Sequence, residues 1–294
     1  MGLACAAAAD DRGALQALVW TAPGHERQVL LEQPATCLDP AVPTEQVALG
    51  QALFNAPDLL GGQAARAGIS CASCHANGRR NEWFYLAGIS GEPGSADVSS
   101  SFFSRARADG QFNPKPIPDL ALPGKVSRDP ATDQLEQFMR GLIVEEFSGR
   151  EPDSGQLAAL ASYVRAIRAC PGQLSVPRGL ASDVALVRQS VIAARVLAQR
   201  GDPDGAGVLV RSVRFHLGLI DERMAGARLA SLRAAVLAAS RRLPGAAERP
   251  ELLTAWLAQF DRKVLPLIQR SENRSLYNPH QLDRWLTTAR KAAP

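Results

Sequence analysis

The stretch Ile69-Ser70-Cys71-Ala72-Ser73-Cys74-His75 holds two cysteines three positions apart, and a histidine follows the second at once. On a helix, residues i and i+3 lie on one face, so both thiols can reach the two vinyl groups of a single porphyrin. The imidazole of His75 then comes under the iron. A zinc site would need a second ligand pair, and the sequence has no other CxxC or HxxxH pattern. We therefore predict one covalent haem c held by Cys71, Cys74 and His75.

The second axial ligand, opposite His75 on the iron, influences the reduction potential and reactivity of such a haem. The sequence alone does not identify this ligand. A methionine thioether raises the reduction potential and suits electron transfer. Met139 follows the motif and precedes the closing helix of this half, so we take it as the candidate second iron ligand. It also falls on an apolar helix stripe with Ile143, which is typical of core packing. Met224 and His216 are alternatives, as is an open or water-filled position.

Two predicted helices flank the motif and carry a family resemblance. The sequence of residues 47–54, VALGQALF, has apolar side chains at helical spacing, and residues 157–167 do the same after Ser154, a predicted N-cap. An "LGxxLF" helix followed by "ISCxxCH" resembles a haem domain of the bacterial cytochrome c peroxidases and methylamine-utilisation-type haem enzymes. The helix 157–167 resembles the last helix of cytochrome c domains. The resemblance covers residues 44–170 and implies a cytochrome c-like fold there.

The resemblance also bears on charged residues near the motif. Those enzymes carry two CxxCH motifs and this chain carries one, which separates it from their two-haem catalysis. A carboxylate over an open haem iron moves protons in their peroxide cleavage, so Glu145-Glu146 is a candidate pair, with a solvated helix face as the alternative. Arg79 and Arg80 are predicted to pair with the haem propionates, with two exposed arginines as the alternative.

The remaining pattern predicts the domain organisation. Residues 77–130 are rich in Gly, Ser, Pro and Asn, so we expect little regular structure there, wrapped around the haem. Helical periodicity from residue 182 onward, broken at Gly and Pro, predicts helices near 182–200, 205–223, 226–242, 250–269 and 279–290. Pro266 should kink or end the fourth of these. The predicted fold class is all-α, with a cytochrome c-like haem domain at 44–172 and an antiparallel helical bundle at 173–294.

Residues 1–43 are predicted to be an export remnant and extension. Small residues up to Asp10-Asp11 are typical of a signal-peptide cleavage site, and Cys5 could carry a lipid. Membrane association is expected only through that lipid, since no apolar run is long enough to span a bilayer. Cys37 and Cys170 bracket the haem domain, and an oxidising compartment would let them pair. We therefore predict a Cys37–Cys170 disulfide and a periplasmic or otherwise extracytoplasmic location.

The charge distribution is uneven. Residues 1–172 carry a net charge of −5 and residues 173–294 a net charge of +9, which together give the overall +4. A basic half beside an acidic half suggests two surfaces with different partners, and solvated helix charges are the alternative.

The predicted function is electron transfer to a redox partner protein or within a larger complex, with no nucleic acid involved. A peroxidase-type haem enzyme with an open iron is the alternative, and a haem sensor or structural subunit a third.

Overall fold

Helices dominate the structure, a computed structural model that describes residues 15–104, 106–243 and 249–292. Helix accounts for 57% and strand for 7%, so the chain is largely all-α, as predicted. No helix in the described ranges has the length and apolar character needed to cross a membrane. The predicted cleavage site and Cys5 lie outside the described residues.

The first half is built from short helices around the Cys71–His75 motif. Its helices are α1 (Glu26–Leu31), α2 (Thr44–Phe54), α3 (Pro57–Leu60), α4 (Gly62–Arg66), α5 (Cys71–Cys74), α6 (Gln134–Gly141) and α7 (Ser154–Ala166). A π-helical turn, Leu142–Glu146, continues α6. Short 3₁₀ turns occur at Gln16–Leu18 and Ala76–Gly78. The predicted helices before the motif and at the end of this half are thus present as α2 and α7, and Asp153 caps α7 by accepting from Gln156 N.

Helices α2 and α7 pack against each other at a glycine. A side chain at Gly50 would place its Cβ 1.9 Å from the carbonyl oxygen of Ala159 and 2.9 Å from Cβ of Tyr163. The two helix backbones therefore touch at a distance that only glycine permits. Phe54, in the last turn of α2, stacks edge-on against Tyr163 with 5.1 Å between ring centroids.

Three short antiparallel strand pairs, which the sequence did not predict, join distant segments. Strand β1 (Glu32–Pro34) pairs with β6 (Ser175–Pro177), β2 (Thr36–Leu38) with β5 (Ile167–Ala169), and β3 (Ser95–Ala96) with β4 (Lys115–Pro116). The Cys37–Cys170 disulfide is present beside the second pair, with 5.1 Å between the Cα atoms. It closes a loop of 133 residues, for which loop-closure entropy contributes about 3–5 kcal/mol of stability.

The second half forms a helical bundle. Its helices are α8 (Leu180–Gln199), α9 (Pro203–Arg223), α10 (Ala230–Arg241), α11 (Pro250–Gln259), α12 (Leu265–Ser271) and α13 (Pro279–Ala292). The three-residue connection between α8 and α9 makes them antiparallel neighbours. Both pack against α2, and α9 also packs against α3. Buried side chains from both sides of residue 172 belong to one hydrophobic core.

Pro266 is accommodated within a nearly continuous helix. A π-helical turn, Phe260–Val264, links α11 to α12, and Pro266 lies in the first turn of α12. Proline has no N–H to donate, and its ring would collide with the carbonyl four residues back in a regular α-helix. The wider π turn removes that collision, so the predicted interruption takes the form of a bulge.

Because Gly50 has no room for a side chain, we expect Gly50→Ala to destabilise the protein by about 3 kcal/mol or more. Gly141→Ala is the matched control, since Gly141 has helical backbone angles and open space around its Cβ position. That control should be neutral or stabilising by about 0.5–1 kcal/mol. Urea unfolding of both variants measures the difference, and equal stabilities would contradict the close helix approach.

Candidate functional site

One helical turn presents the two thiols of the motif. Helix α5 starts after Ser70, whose backbone N–H donates to Oγ of Ser73 at 3.0 Å. The backbone N–H of His75 donates to the Cys71 carbonyl at 2.9 Å and completes the turn. Cys71 and Cys74 are therefore one turn apart, on the same side of the helix. This is the arrangement that the spacing predicted.

The two thiols are free and half-buried against the core. Burial raises the pKa of Cys71 to about 12, and burial together with the neighbouring Cys71 raises that of Cys74 to about 12 as well. Both are therefore protonated thiols at neutral pH. A nucleophilic or thiolate-ligating cysteine needs the opposite shift, which neighbouring positive charge or a helix N-terminus usually supplies.

The imidazole of His75 is kept neutral. Burial lowers its pKa to about 4, against a smaller opposing effect of the Pro118 carbonyl. Nδ1 is buried and has no hydrogen bond of normal geometry, although that carbonyl is close. The neutral ring is the form that binds a metal through one nitrogen while the other donates to a carbonyl. Pro118 is the carbonyl placed for that role.

The chain after His75 is tied to the first strands. Asn77 adopts a left-handed conformation with φ 50° and donates through Nδ2 to the Pro34 carbonyl at 2.9 Å. Gly78 follows with φ +77°, and a Cβ there would lie 2.8 Å from Cδ1 of Ile167. The tight turn leaves no room for a larger residue, so the position of His75 is set by the core beneath it.

Arg79 connects the motif to the segment that follows it. Its guanidinium makes two hydrogen bonds of 2.6 Å to the Asp119 carboxylate and a third of 3.0 Å to the Ala35 carbonyl. Burial alone would raise the pKa of Asp119, but the hydrogen bond and charge of Arg79 lower it overall. Arg79, predicted as a propionate partner, thus has a carboxylate partner within the chain. The sequence carried no signal for Asp119 or Pro118.

Arg80 differs from Arg79 in having no ion pair within the described residues. Its Nε is buried without a hydrogen-bond partner. The guanidinium runs beside Gly94, where a Cβ would come within 2.9 Å of one of its terminal nitrogens. Arg80 is therefore the cation near the motif that is left for an external anion.

The candidate second iron ligand, Met139, lies within the unbroken helix α6. Its side chain is half-buried and packs against the core. Ligation would require the helix to turn its sulfur away from that contact, so the choice between ligand and core residue remains a prediction. The alternatives lie in the bundle. Met224 is fully buried after the end of α9, and Nε2 of the buried His216 lies 3.1 Å from Oγ of Ser212.

The two glutamates that are candidates for acid–base chemistry have different surroundings on the π-helical turn. Glu145 pairs with Arg107 and Arg140 near the surface. Glu146 is more buried, with Arg107 at 3.6 Å and with Oε2 buried and unpartnered. Burial raises the pKa of Glu146, so it holds its proton more readily than Glu145. Of the two, only Glu146 has the environment of a proton donor.

The segment around Asp119 lies next to the motif. Its carboxylate is bound by Arg79, and its charge acts on the pKa of His75. Leu122 in this segment is 56% exposed.

Comparisons with known proteins identify no relative. No family model, no characterised protein and no solved structure matches the chain. Within the described residues, no group of three or more His, Cys, Asp or Glu side chains is arranged to hold a metal ion. A haem iron needs only one or two protein ligands, since the porphyrin supplies the other four.

We expect the thiols of the haem-free chain to resist alkylation while the chain is folded. With a pKa of about 12, about one thiol in 10⁴ is ionised at pH 8, against about a quarter for an ordinary cysteine. Iodoacetamide labelling between pH 7 and 10, followed by mass spectrometry of the peptide containing residues 71–75, measures the rate. The same protein in guanidinium chloride is the control. Equal rates in both conditions would show that burial does not protect the thiols.

Proposed function

We propose that the chain is an exported mono-haem c-type cytochrome that transfers electrons to a partner protein or within a complex. Thioether bonds to Cys71 and Cys74 would attach the haem, and His75 would ligate its iron. The observation that carries the proposal is the motif itself, with two free thiols on one side of a helical turn and a neutral imidazole directly after it. When bound, the haem supplies a centre that accepts and releases one electron.

The surrounding residues fit such a group. The orphaned Nδ1 of His75 would donate to the Pro118 carbonyl and orient the ring, as metal-bound histidines require. The Arg79–Asp119 ion pair holds segment 117–128 next to the motif. Arg80, the other predicted propionate partner, has a buried Nε without a hydrogen-bond partner.

Two further observations support a cytochrome c-like domain in an oxidising compartment. The elements that carry the family resemblance, α2 and α7, pack directly on each other, and Phe54 of α2 lies 6.2 Å from the His75 ring. The Cys37–Cys170 disulfide is of the kind that persists outside the cytoplasm. The disulfide agrees with the extracytoplasmic location that covalent haem attachment implies.

The net charge of the second half suggests how a partner would be met. Residues 173–294 carry a net charge of +9, which attracts an acidic surface and speeds encounter at low ionic strength. The proposed partner is therefore a redox protein with an acidic docking face.

A peroxidase-type enzyme is the second candidate function, and Glu146 is the observation that favours it. Its buried, unpartnered Oε2 and raised pKa suit proton transfer, and it lies on a π-helical turn, a feature frequent at functional sites. The single CxxCH motif favours electron transfer, because the sequence has no second motif of this kind to attach a haem that would feed electrons.

Absorption spectra of the haem-loaded protein, before and after peroxide, test the two functions. For a carrier we expect low-spin ferric haem, reversible one-electron reduction and no peroxide turnover. High-spin ferric haem that consumes peroxide would overturn the carrier proposal in favour of the enzyme. In that case Glu146→Gln should slow turnover, while Glu145→Gln, the control on the same turn, should not.

Met139→Ala decides whether that residue binds iron. Loss of a thioether ligand would convert low-spin to high-spin haem and lower the potential, because the soft sulfur favours the ferrous state. A core residue would instead leave a cavity that costs about 2–5 kcal/mol of stability, with the spectrum unchanged. Spectra and urea unfolding of the variant separate the two outcomes. An unchanged spectrum would remove Met139 from the site.

A further inference from the structure

A large cleft lies between the motif and the helical bundle. Its volume is about 900 Å³, within the range of small-molecule sites. The motif contributes Ser70, Ala72 and Ser73 to its lining, whereas the thiol-bearing Cys71 and Cys74 do not line it. The thiols that would hold a haem are therefore not part of the wall of this cleft. Helices α8 and α9 form its far wall.

Three side chains around this cleft have buried nitrogens without partners. They are Nε1 of Trp20, Nε of Arg80 and Nδ1 of His216, and all three residues line the cleft. His216 is only 3% exposed. Unsatisfied buried polar atoms are costly. Nine occur within the described residues, and three of these belong to residues that line this one cleft.

The chemistry of two of these groups selects an anion. Trp Nε1–H and the Arg guanidinium can only donate hydrogen bonds. Two backbone hydrogen bonds connect their segments on one wall of the cleft. N of Tyr85 donates to the Trp20 carbonyl at 3.1 Å. N of Gly94, beside which the Arg80 side chain lies, donates to the carbonyl of the neighbouring Phe84. Oxygens of a carboxylate or phosphate are acceptors that match a cationic donor and a neutral donor.

The carboxylates in the cleft do not neutralise Arg80. Asp119 is held by Arg79, and Asp183 accepts a 2.6 Å hydrogen bond from the Tyr277 hydroxyl. Glu82 and Glu32 are exposed and make no ion pair with Arg80 within the described residues. The positive charge of Arg80 is therefore available to a ligand.

We propose that this cleft binds a small organic anion carrying a carboxylate or phosphate group. Arg80 and Trp20 donate to the anionic group, and His216, on the opposite wall, contacts another polar group of the same ligand. The two thiols do not line this cleft, and the proposal does not depend on the proposed electron transfer. It assigns Arg80 to a ligand other than a haem propionate.

Isothermal titration with succinate and with inorganic phosphate tests the site, using both haem-loaded and haem-free full-length protein. We expect saturable one-site binding of at least one probe in both forms, and the tighter probe identifies the carboxylate or phosphate class. Arg80→Gln should weaken binding about tenfold or more, and Trp20→Phe severalfold. Arg66→Gln, which removes an exposed charge outside the cleft, is the control and should leave binding unchanged.

Three results would overturn the proposal. The first is no saturable binding of either probe, which would mean that water alone satisfies the three nitrogens. The second is an Arg80→Gln variant that binds as well as Arg66→Gln. The third is binding to the haem-free protein that disappears when haem is attached, which would return Arg80 to a propionate.

If thermal melting shows that Trp20→Phe is unfolded, His216→Gln tests the opposite wall. A chain that never acquires haem yet binds a probe would refute the proposed function and leave this site intact.

Discussion

The close approach of α2 and α7 at Gly50 holds the first half of the chain together. With no side chain at Gly50, the α2 backbone rests on the Ala159 carbonyl, and this contact carries Phe54 to a position between Tyr163 and the His75 ring. The motif therefore sits on a packed helix pair, and the turn at Asn77–Gly78 anchors its far end to Pro34 and Ile167. A ligand-binding histidine needs such rigid support if its ring is to keep one orientation.

Burial then determines the chemistry of the motif. The same packing that supports Cys71, Cys74 and His75 removes water from them, which keeps the thiols protonated and the imidazole neutral. Protonated thiols and a neutral imidazole are compatible with the covalent haem that we propose, whereas a bare metal ion prefers thiolates. The Arg79–Asp119 pair keeps its own charge balanced, and both residues line the cleft between the motif and the helical bundle, as Arg80 does.

Much of the fold could be predicted because apolar periodicity reports directly on helices. The longer helices of both halves, the interruption at Pro266 and the Cys37–Cys170 disulfide were predicted, whereas the short helices α1, α3 and α4 were not. The strand pairs were missed because each is two or three residues long and joins segments far apart in sequence. At the candidate site, the motif spacing predicted the thiol arrangement, but the roles of Pro118 and Asp119 depend on how an irregular segment folds back, and no local pattern records that. The cleft nitrogens were missed for the same reason.

Intact mass spectrometry of the protein exported from a host with c-type maturation tests the central claim most directly. We expect a mass increased by one haem, which survives acid–acetone extraction and maps to the peptide containing Cys71, Cys74 and His75. A Cys71→Ala/Cys74→Ala double variant from the same host should lack that added mass. Wild-type protein recovered without haem, from a host that loads a control cytochrome c, would contradict the account.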